Sequence, residues 1–404
     1  MKKFISILLA IILVFSLCAC TNSSSSVQEE ETQTTTDNTV KIGFIYLHDE
    51  QSTYDLNFLT AAKAACEKLG VEYFNKVNIP EGQECYTAAE DLVSQGCSII
   101  FADSFGHEDY MIQAAKDFPD VEFCHATGTK AHTEGLPNFH NAFASIYEGR
   151  YLAGVAAGLK LNEMIADGQF EPEEAVIGYV GAYPYAEVIS GYTSFFLGAR
   201  SICPTATMKV QFTGSWYDET AEKETARNLI VKEGCKLISQ HADSMGAPTA
   251  CEDAGVPNIS YNGDTSNVGP NTFIISSRIN WEPYFEYIIN CVKNHETIAT
   301  DWTGTINTGS VELTEVNESV AAIETGLVLE AIKEELIAGT LHVFDTSMFT
   351  VNGNTLDEYF ADVDSDNNYE GDTQVIIDGY FHESEFRSAP YFDLNIDGIT
   401  ILGD

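Results

Sequence analysis

From Val40 onward the apolar residues follow two alternating rhythms. Short runs at 41–47 (KIGFIYL), 72–77, 98–102 (SIIFA) and 121–126 are bounded by polar residues or glycine, which is the pattern of buried strands. Between them, 56–69, 84–95 and 109–118 carry apolar residues three and four apart and end at Gly70, Gly96 and Pro119, as helices do. Residues 138–143 begin a crossing, and the rhythm then restarts. Helices are predicted at 146–161, 186–201, 218–233, ending at Gly255, at 281–295 and at 320–338. Strands are predicted at 175–180, 207–212, 237–240, 257–261 and 273–276. Strands separated by helices pair in parallel with right-handed crossovers. Two such series imply two lobes of ordinary domain size, an α/β architecture of two doubly wound parallel sheets. The expected lobes are 40–140 with 283–344, and 141–282; residues 345–404 read as an irregular acidic extension.

The first 39 residues follow neither rhythm. Lys2 and Lys3 precede an apolar run at 4–17, too short for a comfortable bilayer span and typical of a secretory signal. Leu17-Cys18-Ala19-Cys20 closes it and resembles a bacterial lipobox, which implies a signal peptide at 1–19 and a lipid on Cys20. An ordinary signal peptide with two incidental cysteines is the plainer alternative. Residues 21–39 (TNSSSSVQEEETQTTTDNT) hold too little apolar surface to offset ordering entropy, so 20–39 reads as a disordered tether.

The net charge of −41 argues against nucleic acid as a partner, because phosphate binding needs clustered Lys and Arg. It also argues against electrostatic attachment to an anionic membrane, leaving the lipid as the anchor. Beyond Cys20 there are eight cysteines, without metal-ligand spacing, and most lie among apolar neighbours. They are expected to be buried free thiols.

Ligands of open parallel sheets bind beyond the carboxyl ends of the strands. In the first lobe those ends carry His48, Asp49 and Glu50 with Tyr54, Asp55 and Asn57, then Asp103, Ser104 and Phe105, then Thr127. In the second they carry Tyr183 and Tyr185, Trp216, His241 and Asp243, Asn262 and Asp264, and finally Trp281. Aromatic faces stack on a planar ring, and carboxylates and amides bond its polar edge. Each residue also has a plainer role: Phe105 and Tyr183 can pack on a neighbouring loop, His241 can be a core histidine, and Asp109, Asp218 and Asp243 can cap helices. No GxSxG, Walker A, HExxH or GxGxxG pattern follows a strand, and the two His–Asp pairs are read as hydrogen-bonding groups, so neither catalysis, a metal nor a cofactor is expected.

Several stretches resemble the basic membrane protein family of bacterial lipoproteins, purine receptors of ABC transporters. They are Phe101-Ala-Asp-Ser-Phe-Gly106, His125-Ala-Thr-Gly128, Tyr147-Glu-Gly-Arg-Tyr-Leu-Ala-Gly154, Glu187-Val-Ile189, Ser215-Trp-Tyr-Asp218 and Gln240-His-Ala-Asp-Ser244. The resemblance spans about 40–343. It implies the type I periplasmic-binding-protein fold, two lobes joined by a hinge, a purine nucleoside or base as ligand, and an ABC permease as partner. The loop from His48 to Tyr54 lacks the glycines and tryptophan usual in that family, so Tyr54 is the expected replacement ring. Two other functions use the same cleft: a nucleoside hydrolase, and a sensing lipoprotein without a transporter.

Overall fold

The computed structural model describes residues 40–363 and 370–403; the expected signal peptide, Cys20 and the tether lie outside the described residues. The first series folds as β1 (Lys41–Ile45), α1 (Thr53–Leu69), β2 (Glu72–Lys76), α2 (Gln83–Ser94), β3 (Ile99–Ala102), α3 (Glu108–Asp117), β4 (Glu122–Ala126), α4 (Ala131–Glu134) and β5 (Phe139–Ala144). The second gives α5 (Ile146–Ala166), β6 (Val176–Gly181), α6 (Ala186–Ile202), β7 (Thr207–Phe212), α7 (Glu219–Val231), β8 (Leu237–His241), α8 (Gly246–Ala254), β9 (Asn258–Tyr261) and β10 (Phe273–Ile279). Then follow α9 (Glu282–Asn294), β11 (Asp301–Gly304), β12 (Val311–Leu313) and α10 (Thr325–Ile337).

The strands form two sheets. The first runs β2-β1-β3-β4-β5-β11, all parallel. The second runs β7-β6-β8-β9-β10-β12, with strand Ile399–Ile401 added at the β7 edge. Only β12 is antiparallel to its neighbour there. The α/β fold of two doubly wound lobes is therefore the one expected. The chain crosses between sheets three times: after β5, after β10, and between β11 and β12. The expected return of 283–344 to the first lobe is split by this pairing, since β11 joins the first sheet and β12 the second.

Local chemistry sets the element ends. Helix α1 starts three residues earlier than its apolar period suggests, because the Ser52 side chain accepts from Asp55 N at 3.2 Å and caps it. Helix α10 starts five residues later than expected, after Glu324 in the left-handed region at φ 65°. The glycines of α5 and α6 permit backbone contact: a Cβ on Gly154 would lie 1.9 Å from Phe195 O, and one on Gly198 2.0 Å from Tyr151 O. All eight described cysteines are free and buried, as their apolar surroundings imply.

The acidic extension is folded where it is described. Phe344, Phe349, Phe381 and Phe392 form an aromatic cluster, with Phe344 and Phe392 stacked at 4.3 Å, and Phe344 meets Tyr147 of α5 at 5.4 Å. Among the described residues no helix is long and apolar enough to cross a membrane.

Candidate ligand-binding site

Both sheets place their first strand between their second and third, so each reverses its winding direction there: at β1/β3 and at β6/β8. Ligands of such sheets bind at that reversal, beyond the carboxyl ends. The two reversals face one another across a cavity with about 380 Å³ of empty space, part of it open to solvent. The first lobe contributes Leu47, His48, Tyr54, Asp55, Ser104, Phe105 and Thr127. The second contributes Glu187, Trp216, His241, Asp243, Tyr261 and Asn262. The lobes touch directly beside it. Thr53 N donates to Asp243 O at 3.0 Å and Asn57 Nδ2 to Asn262 Oδ1 at 3.3 Å. The rings of His48 and Tyr217 lie 5.4 Å apart, as do those of Phe105 and Tyr185.

In the first lobe the polar side chains that line the cavity bond within their own lobe, whereas Asp103 Oδ2 behind them is buried without a partner among the described residues. Asp55 Oδ1 accepts from His48 N at 2.7 Å and Oδ2 from Ser52 Oγ at 2.5 Å. Burial pushes its carboxyl up, but the hydrogen bonds from His48 and Ser52 outweigh that and hold it below the usual carboxylate range. Tyr54 OH donates to Asp103 O at 2.8 Å, and Ser104 Oγ to Glu81 at 2.5 Å. Asp103 lies behind the lining with Oδ1 accepting from Leu47 N at 3.1 Å. Burial, then the charge of Asp55, raises its carboxyl well above the usual range.

In the second lobe polar capacity remains. His241 Nδ1, Tyr261 OH and Asn262 Nδ2 are buried without a partner among the described residues. Burial keeps the His241 ring neutral, with Nε2 3.4 Å from Glu187 Oε1. Burial, then the charges of Asp55, Glu222 and Glu187, raises the Asp243 carboxyl well above the usual range. Beneath this wall the buried Arg150 guanidinium donates to Tyr179 OH at 2.6 Å and lies 4.7 Å from the Tyr261 ring centre. After burial, its charge adds to what lowers the His241 imidazole.

The structure thus brings Tyr54, Asp55, Ser104, Phe105, Trp216, His241 and Asp243 to one cavity, with Asn57 at its edge, Asp103 behind it and Tyr185 outside its mouth. Two expected residues are elsewhere. Trp281 is a core residue, stacked on Phe58 at 4.5 Å and tilted against Phe101 at 5.8 Å, because the chain has already crossed back to the first lobe at that point. Asp264 is exposed and accepts from Ser266 N at 2.7 Å, a turn role. Asp218 does cap α7, accepting from Ala221 N at 2.9 Å. Asp109 caps nothing; it sits inside the first turn of α3 and pairs with Lys130. Nor does Asp243 cap α8, since Ser244 Oγ accepts from Gly246 N instead. Leu47, Glu187 and Tyr261 were not singled out as ligand contacts from the sequence; Tyr261 is the last residue of a strand and Glu187 lies in a first helical turn.

A family model described as the PnrA-like ABC transporter substrate-binding protein, Bmp, matches residues 45–338. The chain belongs to this family. Family members bind solutes rather than transform them, which removes the hydrolase alternative. A purine-binding protein of Brucella abortus is 34% identical over 254 residues, 62% of this chain and 67% of the relative. A putative ABC transporter glucose-binding protein of Haloferax volcanii is 30% identical over 308 residues, 76% of this chain and 72% of the relative. A solute-binding protein structure from Aeropyrum pernix superposes with a TM-score of 0.63 at 16% identity, over 76% of this chain and 93% of that one. One from Conexibacter woesei gives 0.60 at 18%, over 75% and 98%. These two speak for the fold alone. The family match stops at 338, before the C-terminal segment.

Proposed function

We propose that this substrate-binding protein captures a neutral purine, base or nucleoside, between its lobes and passes it to an ABC permease, held at the extracytoplasmic face of the cell membrane by a lipid on Cys20. The observation that carries the purine reading is the composition of the cavity wall. The Trp216 indole offers a flat face, while Asp243, His241, Tyr261 and Asn262 offer a mixed set of donors and acceptors from the ends of β8 and β9. A purine presents that complement: a π-face and an edge of alternating ring nitrogens and N–H groups. No Lys or Arg lines the cavity among the described residues, so a phosphorylated ligand is poorly matched. The similarity to a purine-binding relative supports the same reading.

Calorimetric titration of stripped protein with adenine, guanine, hypoxanthine, their nucleosides and D-glucose is the test. Glucose is included because of the relative named for it. Heat with purines alone is expected; heat with glucose alone would transfer the protein to a sugar class. The crossings between lobes would act as a hinge, so saturating ligand should lower the radius of gyration in X-ray scattering. Cys20→Ala should release the protein from the membrane, and an unlipidated wild-type N-terminus by mass spectrometry would remove the anchor.

A further inference from the structure

Beneath the second-lobe wall lies a buried cation whose hydrogen-bond partners are all neutral. Arg150 of α5 is fully buried, and its guanidinium donates to Tyr179 OH at 2.6 Å, Gln240 O at 3.3 Å and Ser239 Oγ at 3.4 Å. Its Nε and Nη1 have no partner among the described residues. Aromatic faces take up part of the charge, with its Cζ 4.7 Å from the Tyr261 ring centre and 5.4 Å from those of Tyr179 and Phe195. Burying a charge in this way is costly, and an apolar side chain of similar volume often fills such a place as well or better. Packing alone does not account for the arginine.

Its neighbours do. The Tyr261 ring that meets Arg150 also meets the His241 ring, 4.5 Å away, and both side chains line the cavity. His241 stands between opposite pulls. Nε2 lies 3.4 Å from Glu187 Oε1, which favours a proton at that nitrogen and favours a charged ring. Nδ1 faces α6 and Tyr179: a Cβ on Gly191 would lie 2.9 Å from Nδ1 and 3.7 Å from Tyr179 OH, the hydroxyl that Arg150 holds. Nδ1 itself has no hydrogen-bond partner among the described residues. A second proton on Nδ1 would therefore enter a buried space on the side of the guanidinium. Burial and the Arg150 charge both oppose it, against the pull of Glu187. The other titratable groups about the ring, Asp243 on its own loop and Asp55 across the cavity, are acidic, so Arg150 is the basic group set against them.

We propose that Arg150 is a positioning residue: its guanidinium holds His241 as a neutral imidazole with its one proton on Nε2, and so keeps Glu187 available to the ligand. A charged His241 would pair with Glu187 and take from a purine N–H an acceptor in the wall. With the ring neutral, the second lobe presents one fixed pattern of donors and acceptors. This role rests on the purine reading of the cavity.

Two measurements on the stripped full chain test it, in wild type, Arg150→Lys, Arg150→Met and Arg150→Gln. The first follows the His241 ring nitrogens between about pH 5 and pH 8 by heteronuclear NMR of isotope-labelled histidine, with the signals assigned by their loss in His241→Asn. Wild type and Arg150→Lys, which keeps the charge, should show a neutral ring protonated at Nε2 throughout. Arg150→Met, of similar volume without the charge, should show a ring that titrates within that range. The second is calorimetric titration with adenine and inosine over the same range. Asp243 and Asp55 are common to all four proteins, so the ratio of variant to wild-type affinity is what counts. For Arg150→Met the ratio should fall about tenfold from pH 8 to pH 5, and for Arg150→Lys it should stay within about twofold. Arg150→Gln keeps a donor for Tyr179 OH without the charge and should behave as Arg150→Met does; it decides if Arg150→Met does not fold. A wild-type ring that titrates in this range overturns the role, and so do unchanged ring signals or a constant affinity ratio in the uncharged variants. Failure of both ligands to bind wild type counts against the purine reading, and the ring signals then decide the state of His241 on their own.

Discussion

In the first lobe, Tyr54, Asp55 and Ser104 line the cavity with their polar atoms engaged by neighbouring residues of the same lobe. In the second, His241, Tyr261 and Asn262 line it with a buried polar atom still lacking a partner among the described residues. Both lobes share one strand order, so topology does not explain the difference. The turn chemistry does. The β1–α1 loop must cap a helix within a few residues, and Ser52 and Asp55 are consumed in doing so. After β8 the helix start is handled by Ser244, which leaves Asp243 and His241 for other work. A buried polar group without a partner costs roughly 1–3 kcal/mol, and a ligand that matches it recovers that on binding. The lobe whose lining keeps unspent hydrogen-bonding capacity should therefore choose among ligands, and the lobe whose lining side chains are already engaged should supply shape.

The two tryptophans expected at strand ends give the largest test of this division. Trp281 is sealed in the first-lobe core, so Trp281→Ala should cost about 3–5 kcal/mol of stability by urea denaturation. The fraction that remains folded should bind normally. Trp216→Ala should do the reverse, weakening every purine together while the melting temperature barely moves. Equal effects of the two on affinity would erase the distinction between core and cleft.

The C-terminal segment is fixed to β11 of the first sheet and to β7 of the second, and Glu383 tests whether it is docked there permanently. Burial raises the Glu383 carboxyl to about 7 from 4.5. A raised carboxyl means the folded state holds its proton longer than the unfolded one. Its contribution is full below pH 4.5 and is lost as pH rises through about 7. Glu383→Gln keeps an acceptor for Tyr391 N and Phe392 N without the charge. The variant should gain about 2–3 kcal/mol on wild type between pH 5 and pH 8 in urea titrations. Parallel pH profiles for the two proteins would mean that Glu383 is solvated and the segment undocked.

Asp243 carries the specificity half of the comparison. Asp243→Asn replaces a carboxyl that accepts, or donates once when protonated, by an amide with a fixed two-proton donor, and the ranking among adenine, guanosine and inosine should shift by about 1–3 kcal/mol in calorimetry. An unchanged ranking would move the selecting role to another group.

Much of this was legible in the sequence because period and punctuation agree over long stretches. His241 and Asp243 are legible as a strand end that precedes a helix, and the structure brings both to the cavity. Reading failed where tertiary path overrides local pattern. Trp281 follows a strand of the second sheet, but the chain crosses there and the indole enters the other lobe. Glu187 is a helix residue, and its approach to His241 depends on how α6 packs beside β8. The C-terminal segment has no period to read: its strands at Thr373–Gln374, Ile376–Ile377 and Tyr380–Phe381 are two residues long, and its aromatics cluster only in three dimensions.

The smallest effect is expected at Asp55, and it bears most directly on the satisfied lobe. Both carboxylate oxygens accept from the loop that precedes α1, at 2.7 Å from His48 N and 2.5 Å from Ser52 Oγ. Asp55→Asn weakens these bonds without emptying the site, so about 1 kcal/mol of stability should be lost at neutral pH. The carboxyl is depressed below its ordinary 3.8, so its contribution is present above that value and fades as pH falls through the lower folded one. The gap between wild type and variant should close in strong acid, wherever the protein remains folded enough to measure. If the first lobe supplies shape alone, the order in which purines bind should be the same in both proteins, in contrast to Asp243→Asn. A reordered panel for Asp55→Asn would show that the first lobe also selects, and that the hydrogen bonds to His48 and Ser52 are exchanged for ligand contacts on binding.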